Sequence, residues 1–448
     1  MKKRTFLKLS SAAATGAILS PMVGWTQENT IRNWAGNITY SSNRLAYVAT
    51  PDEARSLVMK YPKLKVLGTR HCFNTIADSK DQLISLIGIV PTMQLDAGGH
   101  FVTVGAGVRY GQLAEYLYKN GFALHNLASL PHISVAGACV TGTHGSGNKN
   151  GNLSTAVAGM EMINASGETL QFHRDKDGEQ FQAAVVNLGA LGVLTKLTLD
   201  VQPSYQVSQV VYENLSLPTL EQHFDEIMSA GYSVSLFTDW KNKNFSEVWI
   251  KRRVAPGTTP TIDPEFFGAR AATKNVHPII ELSAMNCTEQ MGVPGPWHER
   301  LPHFKMGFTP SSGNELQSEY FVPREMSYKA LLAVERLHEQ VSPLLMITEI
   351  RTIDADRFWM SPCYERPSTT IHFTWKPDWP GVRRVLPLIE EQLAPFHARP
   401  HWGKLFTVSP KTLSARYPKL ADFRKMAEQM DPSGKFRNAF LDNYIFGA

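Results

Sequence analysis

A chain of 448 residues with 43% hydrophobic and 19% charged residues holds ample material for a core, and its length points to two domains or one large one with insertions. Lys2, Lys3, Arg4 and Lys8 precede the first acid, Glu28, so most of the net charge of +5 sits in the leader; the near-neutral remainder predicts neither a nucleic-acid nor a membrane-surface partner. Cys72, Cys139, Cys287 and Cys363 lack CxxC spacing, which argues against zinc or iron–sulfur ligation and for mostly free, buried thiols.

In chain order, residues 1–27 read as an export signal. A basic KKRTFLK run at 2–8 precedes a mildly apolar stretch from Leu9 to Val23, too short and too interrupted by Pro21 to anchor in a membrane. Lys3-Arg4-Thr5-Phe6-Leu7-Lys8 resembles a twin-arginine signal with lysine in the first arginine place, so an exported, periplasmic or extracellular location is expected, with processing near Gln27. Residues 28–202 then alternate strands and helices. Strands are predicted at 64–68 and 100–107, a helix from Tyr110 to Asn120 stopped by Gly121, a hairpin over 159–173 turning at Ser166-Gly167, and a strand at 193–201. The GAGVRYG run at 105–111 spaces its glycines one residue too wide for a dinucleotide fingerprint and no ribose-binding acid follows, so a nicotinamide site is rejected.

Pro203 marks the predicted boundary of a second unit, 203–410. Strands are expected at 233–240, 247–254, 346–353 and 368–375, with a Pro/Gly-rich connector at 255–269. Residues 411–448 form a C-terminal segment. The whole is read as α+β.

Two glycine-bearing segments carry the chemistry: GTRHCFN at 68–74, directly after an apolar strand, and SLPHISVAGACVTGTHGSG at 129–147. Loops of this composition bring backbone N–H groups against a phosphate with no bulky side chain in the way. Later, Glu349 and Arg351 sit at i and i+2 of one strand and His372 and Thr374 at i and i+2 of the next, so each pair shares a strand face. Glu349 and Arg351 lie among apolar neighbours, where unpaired charge is costly. Side chains of these types offer donors and acceptors suited to a polyhydroxylated molecule.

These segments resemble the FAD-linked oxidases of the vanillyl-alcohol-oxidase type, and within them most closely the bacterial alditol (xylitol) oxidases. The resemblance runs from NWAGNITY (33–40) to DPSGKFRNAF (431–440), and includes NCTEQMGVPGPWHERLPHF (286–304) and LQSEYFVPRE (316–325), to which the sequence assigns no chemical role. It implies a PCMH-type FAD-binding domain at 28–202, an α+β substrate or cap domain, and a C-terminal segment returning to the flavin domain. It implies FAD held through a single covalent 8α-histidyl bond to His71, because no cysteine stands at Ser129-Leu130-Pro131; Cys72 is expected to point away. The implied cofactor contacts are Val66, Leu67, Gly68, Thr69, Arg70, His71, Cys72, Ser129, Ser134, Gly137, Thr141, Gly142, Thr143, His144, Val193 and His401. The implied substrate contacts are Ser129, Glu349, Arg351, His372, Thr374 and Lys404. The expected reaction is oxidation of an alditol C1 alcohol to the aldose, with O2 reduced to H2O2 by a monomeric enzyme. Arg351 and Lys404 would stabilise negative charge, and His372 or Lys404 would be the base. An aldonolactone oxidase or dehydrogenase of the same fold, and a non-enzymatic flavin- or sugar-binding protein, are the alternatives.

Overall fold

The computed structural model describes residues 24–26, 30–258, 260–308 and 313–447; apart from Gly24–Thr26, the export signal expected at 1–27 lies outside them. A four-stranded sheet begins the fold, in the order Gly24–Thr26, Leu45–Tyr47, Gln82–Ser85, Leu64–Leu67. Gln82–Ser85 pairs in parallel with both of its neighbours. The helix Pro51–Lys60 makes the crossover; Thr50 caps it by accepting a hydrogen bond from the Glu53 N–H, and Pro51 stands at its first turn. Beside this sheet lies a five-stranded antiparallel one, ordered Met93–Leu95, Phe101–Gly105, Val193–Asp200, Val157–Ile163, Thr169–His173. The predicted helix appears as Tyr110–Lys119, burying Leu113 and Leu117.

From Gln206 onward the chain builds a ten-stranded sheet. At its heart the strands Ser233–Thr238, Leu345–Ile353, Ser368–Trp375 and Leu316–Pro323 are neighbours in that order, all antiparallel. The pleat gives this sheet two characters. Ile350, Ile371, Phe373 and Trp375 face the helices Ser327–Glu335 and Trp379–Leu393 and join Leu331, Val334, Val385 and Leu386 in one core. The alternate residues carry polar side chains to the opposite face. The connector expected at 255–269 is less irregular than predicted: Glu265–Phe266 forms a hairpin with Ala269–Ala271 against Gln206–Ser216.

The C-terminal segment packs on the first unit. Leu420, Phe423 and Ala427 share a core with Leu113 and Leu197. The Leu64 N–H donates to the Lys435 carbonyl (3.0 Å), and the buried Lys65 ammonium donates to the carbonyls of Gly189 (2.9 Å) and Phe436 (3.2 Å). The four cysteines are free thiols, three of them buried. Among the described residues no helix is long and apolar enough to cross a membrane, and no group of His, Cys, Asp and Glu is arranged to hold a metal ion.

Candidate active site

A cavity of about 610 Å³ lies between the first unit and the polar face of the large sheet. One wall is the loop after the strand Leu64–Leu67, and the next is the short helix Val135–Val140 with its flanks. These two walls touch: the Ser134 N–H donates to Thr69 Oγ1 (3.3 Å). A β-carbon at Gly137 would lie 2.7 Å from Ser134 Oγ, and one at Gly68 would strike the same hydroxyl, so either would have to displace it. Arg70 bends the loop through a left-handed backbone, φ 59°, which a non-glycine residue adopts only when its surroundings enforce it. The first turn of the helix leaves N–H groups without in-helix acceptors. A close-approach glycine cradle, free amides and this volume fit a dinucleotide cofactor such as FAD.

His71 projects from the loop into the cavity, its ring 4.3 Å from that of Trp34. Its Nδ1 lies 3.2 Å from Nε2 of His132. Burial, with His132 and Lys404 adding to it, pushes the His71 pKa down to about 3, which leaves a neutral, nucleophilic imidazole. Of the anticipated cofactor contacts, Val66 to Cys72, Ser129, Ser134, Gly137, Thr141, Thr143, His144 and His401 all line the cavity. Cys72 packs against the core that holds Leu113 and Leu197, and burial raises its thiol pKa to about 11. Val193 and Gly142 are not in the wall. Val193 is consumed by a core with Val58 and Ile84, and Gly142 turns toward Pro362.

The opposite wall is a row across three strands. Glu319, His372 and Glu349 are direct cross-strand partners, so their side chains emerge side by side. Arg351 and Thr374 sit two residues along on the same face, and Lys404 reaches in from the loop after Arg399–Pro400. Glu319 is the hub, with a wholly buried side chain. Its Oε2 accepts from Lys404 Nζ (2.6 Å) and its Oε1 from Arg351 Nη2 (2.8 Å), while His144 Nε2 stands 3.2 Å away. Burial opposes ionisation of Glu319, yet Lys404, His144 and Arg351 together hold its carboxyl well below the usual range. Lys404 also donates to His372 Nδ1 (2.7 Å), and His372 Nε2 lies 3.1 Å from Thr374 Oγ1. Burial, then the Lys404 charge, pushes His372 down to about 4. Its ring is neutral at physiological pH, with the proton on Nε2 toward Thr374. Glu349 Oε1 lies 2.7 Å from His303 Nε2, and its Oε2 is 3.6 Å from Arg351 Nε.

The pairs at 349/351 and 372/374 thus share one face, as their spacing predicts. The Glu349–Arg351 contact is buried, and the solvated surface ion pair that is the commoner fate of such residues does not occur. Sequence reasoning passed over Glu319, His132 and His303. The first had a signal, since Gln317 and Glu319 repeat the i, i+2 polar alternation of the neighbouring strands. The two histidines lie in loops, where no periodicity marks them.

Residues 45–173 match the FAD binding domain family and residues 311–444 the D-arabinono-1,4-lactone oxidase family. The chain is 47% identical to the alditol oxidase of Streptomyces sp. (strain IKD472 / FERM P-14339), over 93% of this chain and 99% of that protein. The chain belongs to the alditol oxidase family. It is an FAD-dependent oxidoreductase. More distant relatives include the L-gulonolactone oxidase of Bos taurus, 24% identical over 93% of this chain and 98% of that one, and the L-gulono-1,4-lactone dehydrogenase of Mycobacterium tuberculosis (strain ATCC 25618 / H37Rv), 24% identical over 91% and 97%. Among solved structures, the cholesterol oxidase from B. sterolicum superposes with a TM-score of 0.78 at 15% identity, over 96% of this chain and 99% of that one. That likeness speaks for the two-domain PCMH-type fold, whose large-sheet domain caps the FAD-binding one.

Proposed function

We propose that this family member oxidises the terminal C1 alcohol of alditols such as xylitol and sorbitol to the aldose. The observation that carries the reading is the row Glu319–His372–Glu349 with Arg351, Thr374 and Lys404. It opposes the glycine cradle and His71 across one cavity. A wall so rich in paired donors and acceptors suits a substrate whose every hydroxyl needs a partner on leaving water. FAD held between the glycine cradle and His71 would supply the hydride acceptor for C1 and the route of the electrons to O2, giving H2O2. His71 holds it through a single 8α-histidyl bond.

The protein's own part is to bind and to move a proton. An ammonium has three donors; Lys404 gives two to Glu319 and His372, and keeps one for the C1 oxygen. Lys404 yields a proton to Nδ1 of His372, and the amine so formed turns its lone pair to the C1 hydroxyl and takes that proton as the hydride leaves, which restores the ammonium. Arg351 adds positive charge where the alkoxide develops.

Acid precipitation of the purified enzyme should carry yellow colour down with the polypeptide, whereas a His71→Ala variant should release it to the supernatant. Xylitol should bleach the native flavin anaerobically, and air should restore it. Colour released from the parent would refute the covalent bond; covalent colour bleached by aldonolactones but by no alditol would replace the substrate. We also infer export through the twin-arginine-like leader and a monomeric enzyme. A strain lacking the folded-protein exporter should retain the protein in its cytoplasm, and undiminished export there would exclude that route.

A further inference from the structure

Behind Glu349 lies a chain of buried groups that the proposed reaction does not use. Lys251, on the strand Asn244–Val254, is almost fully buried, as is His303. Lys251 Nζ donates to the carbonyls of Leu301 (2.5 Å) and Pro302 (3.0 Å), and its third direction meets His303 Nδ1 at 3.2 Å. Burial opposes ionisation of Glu349, yet Arg351 and His303 hold its carboxyl well below the usual range, so Oε1 accepts and a neutral His303 carries its proton on Nε2, 2.7 Å away. The Nδ1 lone pair is left toward Lys251, whose pKa burial pushes down to about 7. The opposite tautomer would turn a lone pair onto the carboxylate. Phe237 and Trp249 hold the ring edge-on at 5.6 and 5.1 Å, so it has little freedom to turn. The loop itself is pinned from a second side, because Thr288 Oγ1 donates to the Pro302 carbonyl (2.8 Å).

With Oε1 so engaged, Glu349 is left with Oε2 on the cavity side. Its neighbour there is Arg351 Nε at 3.6 Å, beyond hydrogen-bond reach, and that buried Nε has no hydrogen-bond partner. An acceptor and a donor stand side by side. A hydroxyl group, which both donates and accepts, would satisfy both.

We propose that Lys251 and His303 are positioning residues that fix Glu349 beside Arg351 as a slot for one substrate hydroxyl, and thereby set the affinity for polyols. This rests on the alditol reading. It gives a role to the 286–304 motif, whose last turn carries the histidine. Neither residue need touch the reacting carbon. Their loss should therefore weaken binding more than it slows the chemistry.

The test uses the flavin-loaded enzyme with xylitol, comparing KM with the limiting rate of anaerobic flavin reduction. Lys251→Met and His303→Leu should each raise KM about 10-fold or more, with the limiting rate held within about 2-fold. His303→Gln, whose amide N–H occupies the place of Nε2, should recover most of the affinity that His303→Leu loses. The proposal is overturned by unchanged KM, by a limiting rate that falls while KM stays, or by a glutamine variant no better than leucine. If Lys251→Met does not fold, the leucine–glutamine pair at 303 decides alone. A parent that no alditol bleaches overturns the alditol reading and this inference together, whereas a parent bleached by xylitol beside variants of unchanged KM overturns the positioning role only.

Discussion

Replacing Glu319 with leucine is expected to cost more stability than any other single change in the cavity. The carboxylate is wholly buried, and Lys404 (2.6 Å), Arg351 (2.8 Å) and His144 (3.2 Å) converge on it. Taking away one partner of a buried ion pair leaves uncompensated charge in a medium that solvates it poorly, a loss of about 3–5 kcal/mol. Here two full cations share the one carboxylate, although Arg351 keeps Glu349 nearby. The catalytic effect follows from aim as much as from charge. Without Glu319 the Lys404 ammonium keeps only its contact with His372 Nδ1, and a misplaced charge-stabilising group loses on the order of 10^3 in rate. Glu319→Gln keeps the volume and one acceptor, so it should fall between parent and leucine in both respects. Thermal unfolding and single-turnover flavin reduction by xylitol measure the two effects. A leucine variant within about 1 kcal/mol of the parent, reducing its flavin at a comparable rate, would show that Glu319 is not the hub.

That residue also marks where the sequence stops being legible. Strands at 346–353 and 368–375 stand out through β-branched and aromatic content, and the i, i+2 relation of Glu349 with Arg351 and of His372 with Thr374 follows from the pleat alone. The glycine segments alone would read as turns; their length, apolar flanks and fixed distance from His71 make them a phosphate cradle. What no single strand discloses is register. Glu319 opposes His372, and His372 opposes Glu349, only because three strands far apart in sequence align at those residues. Read alone, the 316–323 strand is one more alternating segment with an acid in it. His303 and Lys251 are further out of reach, since their meaning lies in a hydrogen-bond chain between a loop and a strand. Val193 shows the converse. The family resemblance implied a cofactor contact there, but its side chain packs in the core with Val58 and Ile84, where burial of apolar surface is favourable.

Lys404→Met should cost on the order of 10^4 in the rate of flavin reduction, and His372→Ala only about 10^2. The difference follows from the order in which the two groups stand. Lys404 faces the cavity with one donor unspent, and His372 lies behind it, joined at 2.7 Å. Methionine removes both the charge beside the developing alkoxide and the only link by which a proton reaches His372. Alanine at 372 removes the acceptor but leaves the charge. The pH profile gives an independent check. Burial and the Lys404 charge both disfavour the imidazolium, so the folded His372 stays neutral until the pH falls to about 4. The parent rate should then be insensitive to His372 from pH 8 down to 5 and should be lost as pH falls through about 4, the range in which Nδ1 takes a proton from solvent and can accept none from Lys404. The opposite order of damage, with His372→Ala the slower enzyme, would place the base at His372 acting directly on the substrate. A parent profile falling already near pH 6.5, the ordinary histidine range, would mean that neither burial nor the Lys404 charge disfavours the imidazolium as this site requires.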